Sequence, residues 1–222
     1  MMNKFKLVIF DLDGTLLDTS EGILSAAKYA ITTCGKNLPS QAVLDSYIGP
    51  PIQQSFAKTF GISGEELANM ALCFRNRYKD YDLLKAKPYE NIFTLCQKLL
   101  DVGFSLAVAT YKREDYANIL LKHFGFDKYM KVICGSDFAG QLTKADIIKK
   151  AIASAGIEDY KDVLMIGDTE HDAIGASALG LAFVGVTYGF GFKNRNELNG
   201  ENIVGIADDT KQIGEILLGE RQ

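Results

Sequence analysis

Residues 6–16 read KLVIFDLDGTL. The unbroken apolar run Leu7–Phe10 fits a strand buried on both faces. Two acids then follow one position apart, Asp11 and Asp13, just before Gly14. Asp-Gly favours a turn, but carboxylates this close repel each other and resist burial. Either they sit in a solvated turn, or a cation neutralises them. The rest of the chain decides between those readings.

Four more short runs have the same buried-strand character: Ser105–Thr110, Val132–Gly135, Val163–Gly167 and Ala182–Val186. Between most of them, apolar residues recur at helical spacing. Examples are Ile92, Leu95, Leu99 and Val102; Ile119, Leu120 and Phe124; and Ala145, Ile148, Ile152 and Ala155. This alternation predicts right-handed βαβ units and a doubly wound, parallel α/β sheet. One region breaks it. Between the first strand and Pro88 no strand pattern occurs, and residues 20–34, 40–47, 51–60 and 64–81 read as helices. Asp18 and Glu21 fit a capping pair for the first, and Gly49-Pro50-Pro51 ends one helix and opens the next. The expected organisation is an α/β core of residues 1–16 plus 87–222, interrupted by a helical domain over 17–86.

Of the 222 residues, 47% are hydrophobic, enough for a sizeable core and too many for a disordered chain. The formal net charge of −4 gives no electrostatic reason to bind nucleic acid polymers or membranes. Cys34, Cys73, Cys96 and Cys134 form no C-x-x-C pair, which argues for free thiols in a reducing compartment over a zinc site. The N-terminal apolar run is broken by acids too soon for a secretory leader, and no run approaches the roughly 20 apolar residues of a membrane span. The expectation is a cytoplasmic protein. No motif speaks to its oligomeric state.

Ligands of open α/β sheets bind at the carboxyl ends of the strands, so the polar residues there are the informative ones. The first strand ends in Asp11 and Asp13, SLAVAT in Thr110, and VLMIG in Asp168, with Asp172 four residues on. Lys144 falls in the first turn of a helix, where the helix dipole disfavours a cation. This set suits magnesium-assisted phosphoryl transfer. Magnesium takes oxygen ligands, one or two carboxylates plus phosphate oxygens, and Asp11 and Asp168 are the natural pair. A carboxylate also serves as nucleophile, a second acid two residues on as proton donor, and a lysine and a hydroxyl as holders of the phosphoryl oxygens.

DLDGT at 11–15, the strand ending in Thr110, Lys144, and GDTEHD at 167–172 resemble the four motifs of the haloacid dehalogenase superfamily in order, spacing and strand context. The helical insertion resembles that superfamily's cap, which closes over the site and opens to release product. The resemblance implies roles residue by residue. Asp11 is nucleophile and metal ligand. Asp13 is general acid/base, with its backbone carbonyl on the metal, and Asp168 is the third protein ligand. Thr110 and Lys144 bind phosphate, and Asp172 orients Lys144 or a metal-bound water. Dehalogenases lack the second acid, so Asp13 favours phosphate chemistry. The chain further resembles the phosphoglycolate phosphatase-like group. IGPPIQQSF at 48–56 and VTYGFGFKNRNEL at 186–198 are similar to its 5′-nucleotidase-like branch.

The expected activity is magnesium-dependent hydrolysis of a small phosphorylated metabolite. A sugar-phosphate phosphomutase and a non-catalytic binding module are the alternatives. Gly49, Pro50 and Arg77 are candidates for substrate selection within the helical domain, although Arg75 and Arg77 also read as a solvated helix face. Tyr78 and Tyr81 read as packing residues. Tyr111, where relatives usually carry a small polar residue, is expected to narrow the phosphate end. His171 has no ligand-spaced partner and reads as a surface or supporting residue. Gly189-Phe190-Gly191 resembles part of a dinucleotide fingerprint, but Asn194 stands where the third glycine belongs.

Overall fold

The computed structural model describes residues 5–138, 140–198, 200 and 202–219. The chain divides into two compact units: Asp18–Lys87, and the residues up to Leu17 joined with those from Pro88 onward.

The larger unit is built on strand β1 (Leu7–Phe10), whose four side chains are completely buried. A short pair, β2 (Leu17–Asp18) with β3 (Lys87–Pro88), stands apart from the main sheet. That sheet adds β4 (Ser105–Arg113), β5 (Met130–Ser136), β6 (Val163–Gly167), β7 (Ala182–Val186) and β8 (Ile203–Ala207), in the order β5-β4-β1-β6-β7-β8. All five neighbouring pairs are parallel. Strand β1 is central, with Leu7 level with Ser105 on one side and Val163 on the other. Being paired on both edges and covered on both faces, it carries a continuous apolar run instead of an alternating one. Each fully buried aliphatic or aromatic side chain there contributes about 1.5–3 kcal/mol.

The helices of the smaller unit come first in the chain: α1 (Ser20–Thr33), α2 (Gln41–Asp45), α3 (Ile52–Phe60) and α4 (Gly64–Arg77). The larger unit carries α5 (Ile92–Asp101), α6 (Glu114–His123), α7 (Lys144–Ala155), α8 (Glu170–Ala178) and α9 (Thr210–Leu218). On one face of the sheet, Ile147, Ile148, Ala151 and Ile152 of α7 pack with Leu7 and Ile9 of β1 and with Met165 of β6. The chain leaves β1 towards β4 and β5, then jumps back to β6, so right-handed crossovers place α5 and α6 on the face opposite α7 and α8. Strand β8 and helix α9 lie beyond the last strand expected from the sequence, Ala182–Val186. Val204 in β8 is half exposed, as befits an edge strand, and the burial pattern that marks the inner strands is lost there. All four cysteines are free thiols; Cys96 and Cys134 are buried, and Cys34 and Cys73 are half-buried. Among the described residues, no helix is long and apolar enough to cross a membrane.

Aromatic rings run through the smaller unit. Tyr47 meets Phe56 edge-on at 5.6 Å, Phe56 meets Phe74 at 6.3 Å, and Phe74 stacks on Tyr78 at 5.6 Å. Two helix ends differ from the sequence expectation. Asp18 does not pair with Glu21 as a capping box; its Oδ1 accepts from the amide and hydroxyl of Ser20, at 3.0 and 2.6 Å. Helix α4 stops at Arg77 and widens into one π-type turn, Tyr78–Asp82. That turn delivers Asp82, which is fully buried, to three donors: Arg77 Nε at 2.9 Å, Lys85 Nζ at 2.7 Å and Ser25 Oγ at 3.0 Å. Gly22 of α1 lies against the same turn, where a Cβ would come within 2.3 Å of the Asp82 carbonyl oxygen. The Arg77 guanidinium also covers the rings of Tyr29 and Tyr81, at 4.9 and 4.7 Å.

Burial alone would push the Asp82 carboxyl up, but the bonds from Lys85, Arg77 and Ser25 reverse this and hold it below its ordinary value of 3.8. A depressed folded-state pKa stabilises above the ordinary value and stops doing so as the pH falls through the depressed one. Asp82→Asn is therefore expected to cost about 2–3 kcal/mol at pH 7, read as a lower urea midpoint of the full chain. The deficit should shrink as the pH is lowered past 3.8. A deficit independent of pH would contradict the charge-based account.

Candidate active site

Four loops at the carboxyl ends of β1, β4 and β6 and at the start of α7 build the candidate site. After β1, the Asp11 amide still bonds Ile166 O of β6 at 2.9 Å, which holds Asp11 in ladder geometry at the carboxyl end of the central strand. The chain then turns tightly, with the amides of Thr15, Leu16 and Leu17 all directed at Leu12 O. Gly14 makes this turn possible in two ways. Its φ is +84°, and a Cβ would lie 2.2 Å from Asp168 Oδ2. Asp168 and Asp172 flank the start of α8. Thr169 caps that helix through Asp172 in a reciprocal capping box, so the same contact that starts the helix fixes the Asp172 carboxyl. Thr143 and Asp146 cap α7 in the same manner and place Lys144 at its first position.

The charged groups meet inside the protein. Lys144 Nζ lies 2.6 Å from Asp11 Oδ1 and 2.6 Å from Asp172 Oδ1. All three residues are almost fully buried. The lysine stem reaches them past Gly175 of α8, where a Cβ would approach Lys144 Cγ to 2.9 Å. Tyr111 supports it from the other side. Its hydroxyl accepts the Lys144 amide at 3.0 Å, and its ring lies 5.6 Å from the ammonium and edge-on to His171. Tyr111 thus packs between Lys144 and His171.

Asp168 is held by a different set. Thr15 Oγ1 donates to its Oδ1 at 3.3 Å, and the amides of Phe190 and Gly191 donate to its Oδ2 at 2.7 and 3.2 Å. A Cβ on Gly189 would fall 2.4 Å from that same oxygen and from Gly14 O. Gly189-Phe190-Gly191 is thus a loop wrapped around an aspartate, which explains both glycines without a dinucleotide. Tyr188, just before it, donates its hydroxyl to Thr15 O at 2.9 Å and ties this loop to the one after β1. Burial, with Tyr89 beside it, pushes the Tyr188 hydroxyl well above its ordinary pKa and keeps it a donor.

Asp13 stands apart from the Lys144 cluster. Its Oδ2 is 3.0 Å from Nζ of Lys112, a lysine whose side chain is only 6% exposed. The register of β4 against β5 slips between Ala109 and Arg113, an irregularity of the kind that re-aims side chains at sheet ends. Thr110, buried at the same strand end, accepts the Lys112 amide on its Oγ1 at 3.2 Å. Gly49, Pro50 and Arg77 belong to the helical unit. Gly49 has φ +107° at the junction that leads into α3, Pro50 follows it half-buried, and Arg77 is engaged by Asp82 as described.

Burial pushes the Asp11 carboxyl up to about 8; Lys144 opposes this, and Asp172, Asp168 and Asp13 add to it. Asp168 is pushed up to about 7 by burial and by Asp172, against the pull of the Phe190 and Gly191 amides. Burial works against the Lys144 ammonium, yet Asp11 and Asp172 hold its pKa above the ordinary lysine value. Carboxylate oxygens of Asp11, Asp168 and Asp172 lie within 4.8 Å of one another. With Asp13 these are four carboxylates against the two ammonium groups of Lys112 and Lys144, a formal excess of two negative charges. An all-oxygen donor set with that deficit fits a hard divalent cation.

The sequence reading did not find Lys112, Thr15, Tyr188 or the Phe190 and Gly191 amides. Lys112 carried a usable signal, a lysine two residues past a strand-end threonine on the same strand face. Amide donors carry none, since any residue supplies them.

The sequence profile of the haloacid dehalogenase-like hydrolases matches residues 8–186. A 5′-nucleotidase of Pseudomonas aeruginosa is 36% identical over 189 residues, covering 85% of each chain. A phosphoglycolate phosphatase of Neisseria meningitidis is 32% identical over 192 residues, 83% of this chain and 81% of that one. The crystal structure of a predicted phosphatase from Clostridium acetobutylicum superposes with a TM-score of 0.88 at 34% identity, over 98% of this chain and 100% of the other. With its buried acids at the ends of β1 and β6 and this breadth of likeness, the chain belongs to the haloacid dehalogenase-like hydrolases and is a phosphatase of that family.

Proposed function

We propose that the protein is a magnesium-dependent phosphatase acting on a small phosphate monoester of the phosphoglycolate or nucleoside 5′-monophosphate type, through an aspartyl-phosphate on Asp11. One observation carries this reading. Asp11 and Asp13 lie two residues apart, yet each is held by a different buried lysine, Asp11 by Lys144 and Asp13 by Lys112. That separation gives one carboxylate the place of a nucleophile and the other the place of a proton carrier. The relatives named above as a 5′-nucleotidase and a phosphoglycolate phosphatase support the two substrate classes.

In this reading Asp11 attacks phosphorus in line with the departing oxygen, so a P–O bond to Asp11 forms as the P–O bond to the leaving group breaks. Asp13 gives its proton to the leaving oxygen. It then takes a proton from the water that attacks phosphorus, releasing inorganic phosphate and restoring the Asp11 carboxylate. Lys144 and the Thr110 hydroxyl hold the phosphoryl oxygens that do not transfer. Asp172 keeps Lys144 aimed at Asp11. Asp11, Asp168 and the backbone carbonyl of Asp13 would hold the magnesium ion. When bound, the ion offsets the surplus of carboxylates and draws charge from the phosphoryl oxygens. Thr15 and the Phe190 and Gly191 amides keep Asp168 in place for this.

Phosphate release from phosphoglycolate and nucleoside 5′-monophosphates should disappear with chelator and return with added magnesium. Magnesium should also raise the melting temperature of the wild type, and not that of Asp168→Ala. A melting point indifferent to magnesium would count against the ligand set. Asp11→Asn should lower kcat by about a thousandfold or more; turnover at the wild-type rate would remove Asp11 from the role of nucleophile. Asp13→Asn should still show the magnesium-dependent melting shift while losing about a hundredfold or more in kcat. Undiminished turnover in that variant would refute its part in proton transfer.

A further inference from the structure

We infer that Lys112 is a specificity-determining residue that selects phosphate esters whose leaving group carries a carboxylate next to the departing oxygen. The inference rests on the proposed roles of Asp11 and Asp13 and narrows the substrate class within them. It favours a phosphoglycolate-type ester over a nucleoside 5′-monophosphate.

The geometry divides the two lysines of the site. Lys144 is spent on the nucleophile side, with Asp11 and Asp172 each at 2.6 Å. Lys112 is on the other acid, 3.0 Å from Asp13 Oδ2, with its side chain 6% exposed. An in-line displacement places the departing oxygen opposite the nucleophile and within hydrogen-bond reach of the acid that protonates it, about 2.6–3.2 Å. The Lys112 ammonium then stands on the leaving-group side, at most about 6 Å from the departing oxygen when both bonds share one Asp13 oxygen. A carboxylate one carbon removed from that oxygen spans about half of this distance, and a charge-assisted bond of about 2.7–2.9 Å spans the rest. An ammonium has three donors, so one lysine serves Asp13 and a second acceptor together. The 5′-carbon of a nucleoside carries no anionic group at that distance.

The irregular end of β4 makes this placement specific to Lys112. Its neighbour Arg113 turns away, with Nε on Asp115 at 2.8 Å and its guanidinium over the rings of Tyr116 and Phe138. Gly135 of β5 permits the close pass of β4, because a Cβ there would come within 2.5 Å of Lys112 O and of Glu114 Cα. A lysine ammonium buried in this way costs free energy unless anions meet it. Asp13 supplies one.

The test compares phosphoglycolate with 2-hydroxyethyl phosphate, which replaces the carboxylate by a neutral group on the same two-carbon frame. Equilibrium binding of both is measured by calorimetry with magnesium present, in the Asp11→Asn background, where the esters stay intact. Affinity for phosphoglycolate should exceed that for the neutral analogue on the order of tenfold or more. Adding Lys112→Met should bring the ratio close to one by weakening phosphoglycolate alone, and Lys112→Arg should keep most of the preference. If Lys112→Met fails to fold, Lys112→Gln takes its place in the same comparison. Equal loss for both esters would show that Lys112 serves only Asp13, and would overturn the inference. So would the absence of any preference before Lys112 is changed. Hydrolysis by the otherwise unaltered chain is scored separately, so a failure of the phosphatase reading is distinguishable from a failure of the Lys112 assignment.

Discussion

A lysine held between two buried aspartates organises the larger unit. Lys144 can be buried only because Asp11 and Asp172 meet its ammonium, and the two carboxylates can be buried together only because the ammonium lies between them. Their positions come from three separate pieces of the chain: the end of β1, the first turn of α7 and the first turn of α8. Each piece must arrive within a fraction of an ångström for the pairs to form. A hydrophobic replacement would give stability without this constraint. The charges gather at the carboxyl ends of the central strands β1 and β6, where ligands of open α/β sheets bind.

Much of the remaining local structure serves those positions. Two capping boxes begin α7 and α8, and in the second the capping side chain is Asp172 itself, so the helix start and the charge cluster share an atom group. Gly14, Gly167, Gly175 and Gly189 mark places where backbone runs so close to Asp168, Asp172 or Lys144 that a methyl group would collide. Tyr188 joins the loop after β7 to the loop after β1 through Thr15 O. The smaller unit has its own charge centre, Asp82 among Arg77, Lys85 and Ser25, built by the same rule that a buried carboxylate is surrounded by donors.

The core was legible because buried parallel strands and amphipathic helices leave different periods in the sequence. Leu7–Phe10, Val163–Gly167 and Ala182–Val186 have the strand limits their apolar runs mark. Asp11, Lys144, Asp168 and Asp172 were legible because acids at strand ends and a lysine at a helix start are locally unfavourable and need a reason. The edge strand β8 was hidden by its exposure, and the extension of β4 through Tyr111, Lys112 and Arg113 by its polar character. The Asp168 cradle was hidden for another reason: it is made of main-chain donors, and its two glycines looked like part of a different motif. The role of Asp82 depended on a π-type turn that helical periodicity does not register.

In the proposed reaction, the Asp11 carboxylate is the group that takes up phosphorus. The most direct measurement is intact-protein and peptide mass spectrometry of Asp13→Asn after brief reaction with p-nitrophenyl phosphate and magnesium. This ester departs without needing a proton, so the first step proceeds while the second lacks its base. The account predicts one added phosphoryl group, labile to hydroxylamine, on the peptide that contains Asp11. Release of p-nitrophenol without any such adduct, or an adduct confined to another residue, would contradict it.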